Sequence, residues 1–226
     1  MDFYNVPVVF DFPKLSANET ACMELQYHIS TREITDGLFL EFGVWKGRTI
    51  NHCARLFPDL TFYGFDSFEG LPEDWPWGPD SSHHFVKKEQ LSLSGQMPKV
   101  ENNVILVKGW YDDVLPDLWK RNEEQGLEIS VLHLDCDVYS STKTVLDVIN
   151  SGIVPGTIIR FDDLCEWRAK PFPYDKTDVR PPSKKRYMSW PDGQWKALNE
   201  WIDEYNREIV PLTRVWNKGA TVKVIK

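Results

Sequence analysis

The sequence of 226 residues predicts a doubly wound α/β fold: a mostly parallel, Rossmann-like sheet with an antiparallel C-terminal strand and helices on both faces. Three observations support this prediction. Short apolar runs alternate with segments of helical length, as they do when both faces of a parallel sheet are covered. Gly43 and Gly47 permit a tight turn between the first predicted strand and the next helix. The last two apolar runs are joined by Asn217-Lys218-Gly219, which is typical of a hairpin.

The first element is a helix predicted from Ser16 to Ile34, in an N-terminal unit of residues 16–36. Ser16 and Glu19 match a capping box, in which the two side chains satisfy backbone N–H groups at the start of a helix. Apolar residues then recur at steps of three and four, which indicates one buried stripe. Gly37 follows this helix and precedes the first strand.

The central part, residues 37–163, is predicted to alternate buried strands with helices. The predicted strands are Leu38–Phe42, Thr61–Asp66, Asn103–Lys108, Ile129–Asp135 and Thr157–Phe161. The helices predicted among them are Gly47–Phe57, Asp112–Glu124 and Ser140–Ile149. Because a connecting helix returns the chain to the same end of the sheet, we expect these strands to run parallel.

The C-terminal part, residues 191–226, is predicted to add a helix and a hairpin. The helix covers Pro191–Glu208, where apolar residues again recur at helical spacing. The two strands of the hairpin are Val210–Trp216 and Thr221–Ile225. This hairpin is expected to add an antiparallel edge to the sheet.

Two predicted connections exceed the roughly 15 residues that a structureless loop usually has in a compact domain. They are Ser67–Asn102 and an insert of residues 164–190, and both are expected to act as lids, substrate loops or small helical inserts. Within the insert, Arg168–Arg186 carries seven basic residues against two acidic ones. Such a segment could guide an anionic acceptor, and a solvated face or a subunit contact is the alternative.

Composition and charge exclude several classes of protein. The formal net charge of −8 argues against binding to a nucleic-acid backbone. No apolar run approaches the roughly 18 residues of a membrane helix, and the N-terminus lacks the basic and apolar pattern of a secretory signal. The four cysteines show no C-x-x-C spacing, so neither a disulfide framework nor a zinc framework is predicted. We therefore expect a cytoplasmic protein that binds neither nucleic acid nor membrane.

The turn after the first strand predicts a nucleoside-binding pocket. Gly43 and Gly47 allow close backbone approach, and Asp66 lies near the offset of about 20 residues at which a carboxylate binds ribose hydroxyls. Glu41 would repel the pyrophosphate of a dinucleotide and would attract a cationic ligand such as S-adenosylmethionine. Arg48 replaces the third glycine of the dinucleotide fingerprint. The pattern therefore favours S-adenosylmethionine.

Five sequence blocks follow one another over Gly37–Leu164: EFGVWKG, GFDSFEGLPEDW, KGWYDDVLP, HLDCDVYSST and PGTIIRFDDL. In this order they resemble class I S-adenosylmethionine-dependent methyltransferases, and most closely the macrocin O-methyltransferase-like family. The resemblance implies a single methyltransferase domain whose cofactor-binding core is residues 37–163. It further implies cofactor-binding residues in three groups: Glu41, Gly43 and Gly47 around the methionine end, Asp66 and Ser67 at the ribose, and Gly109 and Trp110 beside the adenine.

Four aspartates follow the fourth and fifth predicted strands. Asp135 and Asp137 flank Cys136, and Asp162 and Asp163 end the next strand. The carboxyl ends of parallel strands share one rim, where converging carboxylates favour a hard cation such as Mg²⁺ or Ca²⁺. The resemblance implies a divalent ion on Asp135, Asp162 and Asp163 that chelates the acceptor oxygen. Asp137 is expected to point to the opposite face if the strand alternation continues.

The general base stays open at this point. Related catechol-type enzymes carry a lysine where this chain has Val138. Asp135 could act as both ligand and base, or His83 or His84 could reach in from the long connection. His133, in the middle of a predicted strand, is expected to be a core residue with satisfied hydrogen bonds.

The combined expectation is an O-methyltransferase that uses S-adenosylmethionine and a divalent cation such as Mg²⁺. Its partner would be a small hydroxylated acceptor, such as a sugar or a natural-product intermediate. Two alternatives remain: a metal-dependent nucleotide-sugar glycosyltransferase that uses Asp135 and Asp137 as a D-x-D motif, and a nucleoside-binding module without catalysis. The sequence leaves the acceptor, the methylated atom and the formation of homo-oligomers open.

Overall fold

The computed structural model describes residues 17–76, 85–164, 193–214 and 219–226. One sheet contains seven strands: β1 Leu38–Phe42, β2 Phe62–Asp66, β5 Val104–Lys108, β6 Ile129–Leu134, β7 Ile158–Phe161, β8 Ile209–Arg214 and β9 Ala220–Val224. Strands β3 Trp75–Pro76 and β4 Phe85–Val86 pair antiparallel by themselves. The helices are α1 Ala17–Ser30, α2 Arg48–Leu56, α3 Tyr111–Glu124, α4 Tyr139–Val148 and α5 Gln194–Glu204. Short 3-10 helices cover Lys88–Leu91 and Asn150–Gly152.

The sheet has the strand order β5-β2-β1-β6-β7-β9-β8. The first five strands in this order are parallel, whereas β9 runs antiparallel to both β7 and β8. This confirms the predicted fold class. The order in which the chain fills the sheet reverses between β1 and β6, and ligands of such sheets bind outside the carboxyl ends of the strands at this switch point.

Each face of the sheet has its own apolar core, because side chains alternate along every strand. Leu40 and Phe42 belong to the core that α3, α4 and α5 cover. Phe39 belongs to the core that α1 and α2 cover. Glu41 follows the same alternation, and its side chain lies among the apolar residues of the α1–α2 face. The position of a residue along a strand therefore determines which face of the sheet its side chain occupies.

Helix α1 is shorter than predicted, because it ends at Ser30 rather than at Ile34. The hydroxyls of Ser30 and Thr31 donate hydrogen bonds to the carbonyl oxygens of Gln26 and Tyr27, at 2.8 and 3.0 Å. Such side-chain bonds compete with the backbone bonds that would continue a helix.

Helix α5 is also shorter than predicted. It ends at Glu204 rather than at Glu208, since Asn206 adopts a left-handed conformation with φ of 49°. The predicted start at Pro191 lies outside the described residues. No helix in the described ranges is both long and apolar enough to cross a bilayer.

Further predictions fall on residues that the structure does not describe. They are the helix cap at Ser16, the histidines His83 and His84, all of the insert after Leu164, and the turn residues Asn217 and Lys218.

Candidate active site

A cavity of about 380 Å³ opens at the carboxyl ends of four parallel strands. Gly43, Asp66, Gly109 and Asp135, which end or directly follow β1, β2, β5 and β6, all line it. The cavity therefore lies at the switch point, where the fold class predicts a ligand.

Gly43 determines how closely β1 and β6 approach at this point. Its φ is 92°, and a Cβ atom there would lie 1.9 Å from the carbonyl oxygen of Asp135. The backbone N–H of Asp135 donates to the carbonyl oxygen of Phe42 at 2.8 Å, which holds the two strand ends together. Only glycine fits this position, because a side chain there would collide with the backbone of Asp135.

Asp66 is fixed in the cavity wall by two backbone hydrogen bonds. Its Oδ2 accepts from the N–H of Trp45, and its Oδ1 accepts from the N–H of Phe68, both at 2.7 Å. Burial raises the pKa of Asp66, and the N–H groups that donate to it act in the opposite direction. Each carboxylate oxygen can accept a further hydrogen bond, so Asp66 can bind hydroxyls of a ligand in a fixed orientation.

The other residues predicted for the ribose and the adenine also line the cavity. The Ser67 hydroxyl donates to the carbonyl oxygen of Gly70 at 3.1 Å and so stabilises the turn after β2. A Cβ atom on Gly109 would lie 2.3 Å from Cγ1 of Val114, so this position also requires glycine. Trp110, at the start of α3, is half-buried against the cavity.

Glu41 and Gly47 lie apart from the other predicted cofactor residues. Among the described residues, neither lines the cavity. Strand alternation turns the Glu41 carboxylate to the α1–α2 face, where its Oε2 lies 3.0 Å from Nδ1 of His133. Gly47 is the residue that precedes α2, with a left-handed φ of 73°, and its glycine serves the turn. The Glu41 carboxylate therefore lies on the α1–α2 face of the sheet, beside His133.

The four predicted aspartates belong to two groups that overlap, because Asp135 is a member of both. Carboxylate oxygens of Asp135, Asp137 and Asp163 lie within 4.8 Å of one another, and a second group of the same size joins Asp135 to His133 and Asp162. Asp137 was expected on the opposite face, but its φ of 58° ends the strand alternation, and Asp137 lines the cavity with Asp135 and Asp162. That expectation was wrong.

The electrostatics of this cluster follow from its geometry. Burial raises the pKa of Asp135 well above its ordinary value, and the negative charges of Asp162, Asp137 and Asp163 raise it further. The backbone N–H of Asp163 donates to Oε1 of Gln194 at 2.9 Å, which ties the end of β7 to α5. The cluster is thus held by the fold at a separation where its charges repel one another.

Arg160 is the residue at this site that sequence reasoning missed. Its Nη1 donates to Oδ1 of Asp162 at 2.6 Å and lies 2.9 Å from Nε2 of His133. Its Nε donates to Oε2 of Glu24 at 3.0 Å. A single charge in an apolar buried strand was the available signal, because such a charge requires partners. His133 is 2% exposed and has partners on both ring nitrogens, which confirms it as a satisfied core residue.

Another part of the cavity lining combines apolar side chains with hydroxyls. Trp75 and Val86 come from the β3–β4 hairpin, and Ser140, Ser141 and Thr144 come from the first turns of α4. These residues were not predicted, because only the fold brings the hairpin to this helix.

Helix α4 and the hairpin segment are also tied to each other directly. The Ser140 hydroxyl donates to Oε1 of Glu73 at 2.7 Å. Lys143, one turn further along α4, instead binds Asp147 and Glu204, and it is absent from the described lining of the cavity. This geometry disfavours Lys143 as a base.

Known proteins resemble this chain in sequence and in fold. The sequence pattern of the macrocin-O-methyltransferase (TylF) family matches residues 20–171. A Streptomyces olivaceus enzyme, 8-demethyl-8-(2,3-dimethoxy-alpha-L-rhamnosyl)-tetracenomycin-C 4'-O-methyltransferase, is 29% identical over 163 residues, which are 62% of this chain and 58% of that one. The match thus spans little more than half of that relative.

Two solved structures share the architecture. The apo structure of CalS11, TDP-rhamnose 3'-O-methyltransferase of calicheamicin biosynthesis, has a TM-score of 0.56 and 21% identity over 91% of this chain and 79% of its own. The O-methyltransferase NovP has a TM-score of 0.53 and 17% identity over 91% of this chain and 79% of its own. At this level of identity the likeness shows a common fold.

Proposed function

The chain belongs to the macrocin-O-methyltransferase family, and from this premise we propose that it transfers a methyl group from S-adenosylmethionine to a hydroxyl of a sugar or another natural-product intermediate. One observation carries the proposal: a single cavity joins the anchored carboxylate of Asp66 to the aspartate cluster at Asp135. The tetracenomycin relative is named for a methyl transfer to a rhamnosyl group, which supports a sugar acceptor. Family membership favours methyl transfer over the glycosyltransferase alternative.

The donor side of the cavity would hold the cofactor. S-adenosylmethionine supplies a methyl group on a sulfonium, together with a ribose, an adenine and an amino-acid end. Asp66 would accept hydrogen bonds from the ribose hydroxyls, and Trp110 would lie beside the adenine. Gly43 lines the cavity and would lie beside the amino-acid end, as the family resemblance implies. Ser67 and Gly109 would shape the wall between these contacts.

The acceptor side fits a divalent cation. Carboxylates are hard oxygen donors that suit Mg²⁺, and their mutual repulsion at Asp135 would be relieved by a positive charge. We propose that Asp135 and Asp163 hold the ion, with a third carboxylate from Asp162, as the family resemblance implies, or from Asp137. Such a cation lowers the pKa of a coordinated hydroxyl and orients it.

Asp135 is the proposed base for the hydroxyl proton. It lines the same cavity as Asp66, and an ionised carboxylate can accept the proton of a hydroxyl that lies within hydrogen-bond reach. The reaction then needs the acceptor oxygen in line with the methyl group, so most of the catalysis would come from positioning within one cavity.

Calorimetry with S-adenosylhomocysteine and, separately, with a uridine diphosphate sugar tests the donor. We expect binding heat with the first compound only. Heat with the nucleotide sugar alone would overturn the proposal in favour of a glycosyltransferase. A transfer assay with labelled S-adenosylmethionine across sugars and phenols then identifies the acceptor. Binding of S-adenosylhomocysteine without transfer to any of a broad set of hydroxylated compounds would favour a binding module.

A further inference from the structure

Two hydroxyl side chains of α4 lie at the cavity without a hydrogen-bond partner among the described residues. The first turns of this helix carry Ser140, Ser141, Thr142 and Thr144. The Ser140 hydroxyl donates to Oε1 of Glu73 at 2.7 Å, and the Thr142 hydroxyl donates to a backbone carbonyl oxygen four residues earlier at 3.1 Å. Ser141 and Thr144 line the cavity, and within the described ranges neither side chain forms a hydrogen bond.

Ser141 is buried at the cavity, and Thr144 lies beside it. Ser141 is only 8% exposed, and residues three positions apart lie on the same face of a helix. A buried hydroxyl that makes no hydrogen bond costs free energy. A ligand with polar groups at this face of α4 would supply the hydrogen bonds and so relieve this cost.

This hydroxyl pair belongs to the acceptor half of the cavity. In the sheet, β2 and β1 lie between β5 and β6. The residues proposed for the ribose and the adenine follow β2 and β5, whereas α4 begins shortly after β6. The hydroxyl pair therefore lies on the side of Asp135 and Asp137, the aspartates that follow β6.

Apolar side chains of the β3–β4 hairpin pack against the start of α4. Trp75 and Val138 form a small buried cluster, and Leu71 and Val86 pack against it. Val138 directly precedes α4, and the other three residues also line the cavity. Apolar side chains beside a few placed polar groups are typical of a small-molecule site. This combination suits a ring that has an apolar face and several hydroxyls at its edge, as a sugar has.

The charge of the cavity favours an uncharged acceptor. The described lining includes five aspartates: Asp66, Asp112, Asp135, Asp137 and Asp162. Carboxylates at this density would repel an anionic group of the acceptor. The hydroxyls of a neutral sugar can instead donate hydrogen bonds to a carboxylate and exchange hydrogen bonds with the hydroxyl pair.

We propose that Ser141 and Thr144 are specificity residues that bind a second hydroxyl of the acceptor, next to the one that is methylated. The acceptor is then an uncharged sugar ring rather than a phenol with a single hydroxyl. The inference rests on the proposed function, because it names the class of acceptor for that reaction. Both residues touch the acceptor, and proton transfer stays with Asp135.

Steady-state kinetics of the full chain with labelled S-adenosylmethionine test this assignment. The probe is the methyl glycoside that the transfer screen finds to be methylated fastest. Ser141→Ala and Thr144→Val each remove one hydroxyl, and each should raise the KM for this glycoside about three- to tenfold. The kcat should change less than about twofold, because the lost contact binds ground state and transition state alike. An unchanged KM in both variants would overturn the proposal.

Deoxy analogues of the same glycoside test for direct contact. Each analogue lacks one hydroxyl next to the methylated position. With the wild type, loss of the contacted hydroxyl should raise the KM about three- to tenfold. In the variant that lacks the matching side-chain hydroxyl, the same analogue should give little further rise, since the contact is already lost. If every analogue raises the KM equally in the wild type and in both variants, the side chains do not touch these hydroxyls and the proposal is refuted.

Ser140→Ala is the matched control, because its hydroxyl lies on the same turn of α4 and is already bound to Glu73. Any rise in KM for this variant should be equal for the glycoside and for its deoxy analogues. If Ser140→Ala shows the same non-additivity as Ser141→Ala, the effect spreads through the helix and the specificity role is refuted. Calorimetry with S-adenosylhomocysteine should give an affinity within about twofold of wild type for Ser141→Ala and Thr144→Val.

The transfer screen separates a failure of this inference from a failure of the proposed function. If phenols are methylated and no glycoside is, methyl transfer stands and the sugar assignment is wrong. If S-adenosylhomocysteine binds and no hydroxylated compound is methylated, the proposed function fails, and this inference fails with it.

Discussion

Two sets of carboxylates differ in what surrounds them: Glu24 of α1 and Glu41 of β1 on one face of the sheet, and the aspartates at its carboxyl rim. On the α1–α2 face, Glu24 is bound by a guanidinium and by threonine hydroxyls, and Glu41 by an imidazole. At the carboxyl rim, Asp135 lies beside other carboxylates, whose negative charges add to the effect of burial in raising its pKa. The first set holds strands and a helix together, whereas Asp135 is held where its neighbours repel its charge. What surrounds a carboxylate therefore separates structure from chemistry better than its place at a strand end does.

Energetics sharpen this difference. A buried charge that loses its partner costs several kcal/mol, so residues of the first set should matter most for stability. Repelling charges at the rim do not add to stability. Their presence therefore has another reason, which here is the proposed chemistry. Substitutions of the first set should thus mainly lower stability, whereas substitutions at the rim should lower the rate of methyl transfer without lowering stability.

Asp135→Asn should give the largest effect of all, on the rate of methyl transfer. Loss of the proposed base and cation ligand is expected to lower the rate by about 1,000-fold, measured with labelled donor and an acceptor found in the transfer screen. The free energy of unfolding, measured in urea, should not fall, because one repelling charge is removed. The control Asp147→Asn lies on α4 and pairs with Lys143. A rate within tenfold of wild type for Asp135→Asn would place the base elsewhere.

Glu24→Gln should give the largest effect on stability. The substitution leaves the Arg160 guanidinium with one charged partner fewer in a buried site, so we expect the free energy of unfolding to fall by about 3 kcal/mol. The matched control is Glu33→Gln, whose ion pair with Lys223 is 64% exposed on the glutamate side and should contribute about 0.5 kcal/mol or less. Equal losses in the two variants would contradict the structural role of the first set.

His28 should make the α1–α2 face sensitive to acid. Burial lowers the pKa of His28 to about 4 from its ordinary value of 6.5. The unfolded chain binds the proton first as the pH falls, so this contribution to stability is complete above pH 6.5 and is lost towards pH 4. The loss attributable to His28 should reach about 2.5 kcal/mol by pH 4.5.

The measurement compares urea unfolding of the wild type and of His28→Gln at pH 7 and at pH 4.5. The variant should lose less stability between the two pH values, because glutamine does not titrate and can still bind the Thr213 hydroxyl. An equal loss in both proteins would show that His28 is not the group that responds.

The sequence is enough to predict the sheet and most of the rim, because both follow from local pattern. Apolar runs define β1 and β6, and Asp66 and Asp135 follow from their places at strand ends. The distance of Glu41 from Gly43 in the sequence does not indicate which face of the sheet its side chain occupies, because strand alternation turns it to the α1–α2 face. Asp137 was misplaced because alternation was assumed to continue through a residue whose φ is left-handed.

The row of paired polar residues His133, Arg160 and Thr221 could not be predicted, because it depends on the register between strands that are far apart in the chain. His133 pairs with Arg160 across β6 and β7, and Thr221 pairs with Arg160 across β7 and β9. Glu24 reaches the row only because α1 packs on that face. A lone charge in a buried strand indicates that partners exist, and only the fold identifies them.

Asp66→Asn and Glu41→Gln should give the smallest effects, which are on the affinity for S-adenosylhomocysteine. Both residues are predicted from the sequence to bind the cofactor, so this pair tests the comparison directly. The Asp66 carboxylate lines the cavity, so its neutral variant should weaken S-adenosylhomocysteine binding about tenfold, by calorimetry. Glu41 faces His133, so Glu41→Gln should bind within about twofold of wild type. If Glu41→Gln loses as much affinity for S-adenosylhomocysteine as Asp66→Asn does, the charge of Glu41 acts on the ligand through the sheet. The contact with His133 would then not distinguish a structural carboxylate from a functional one.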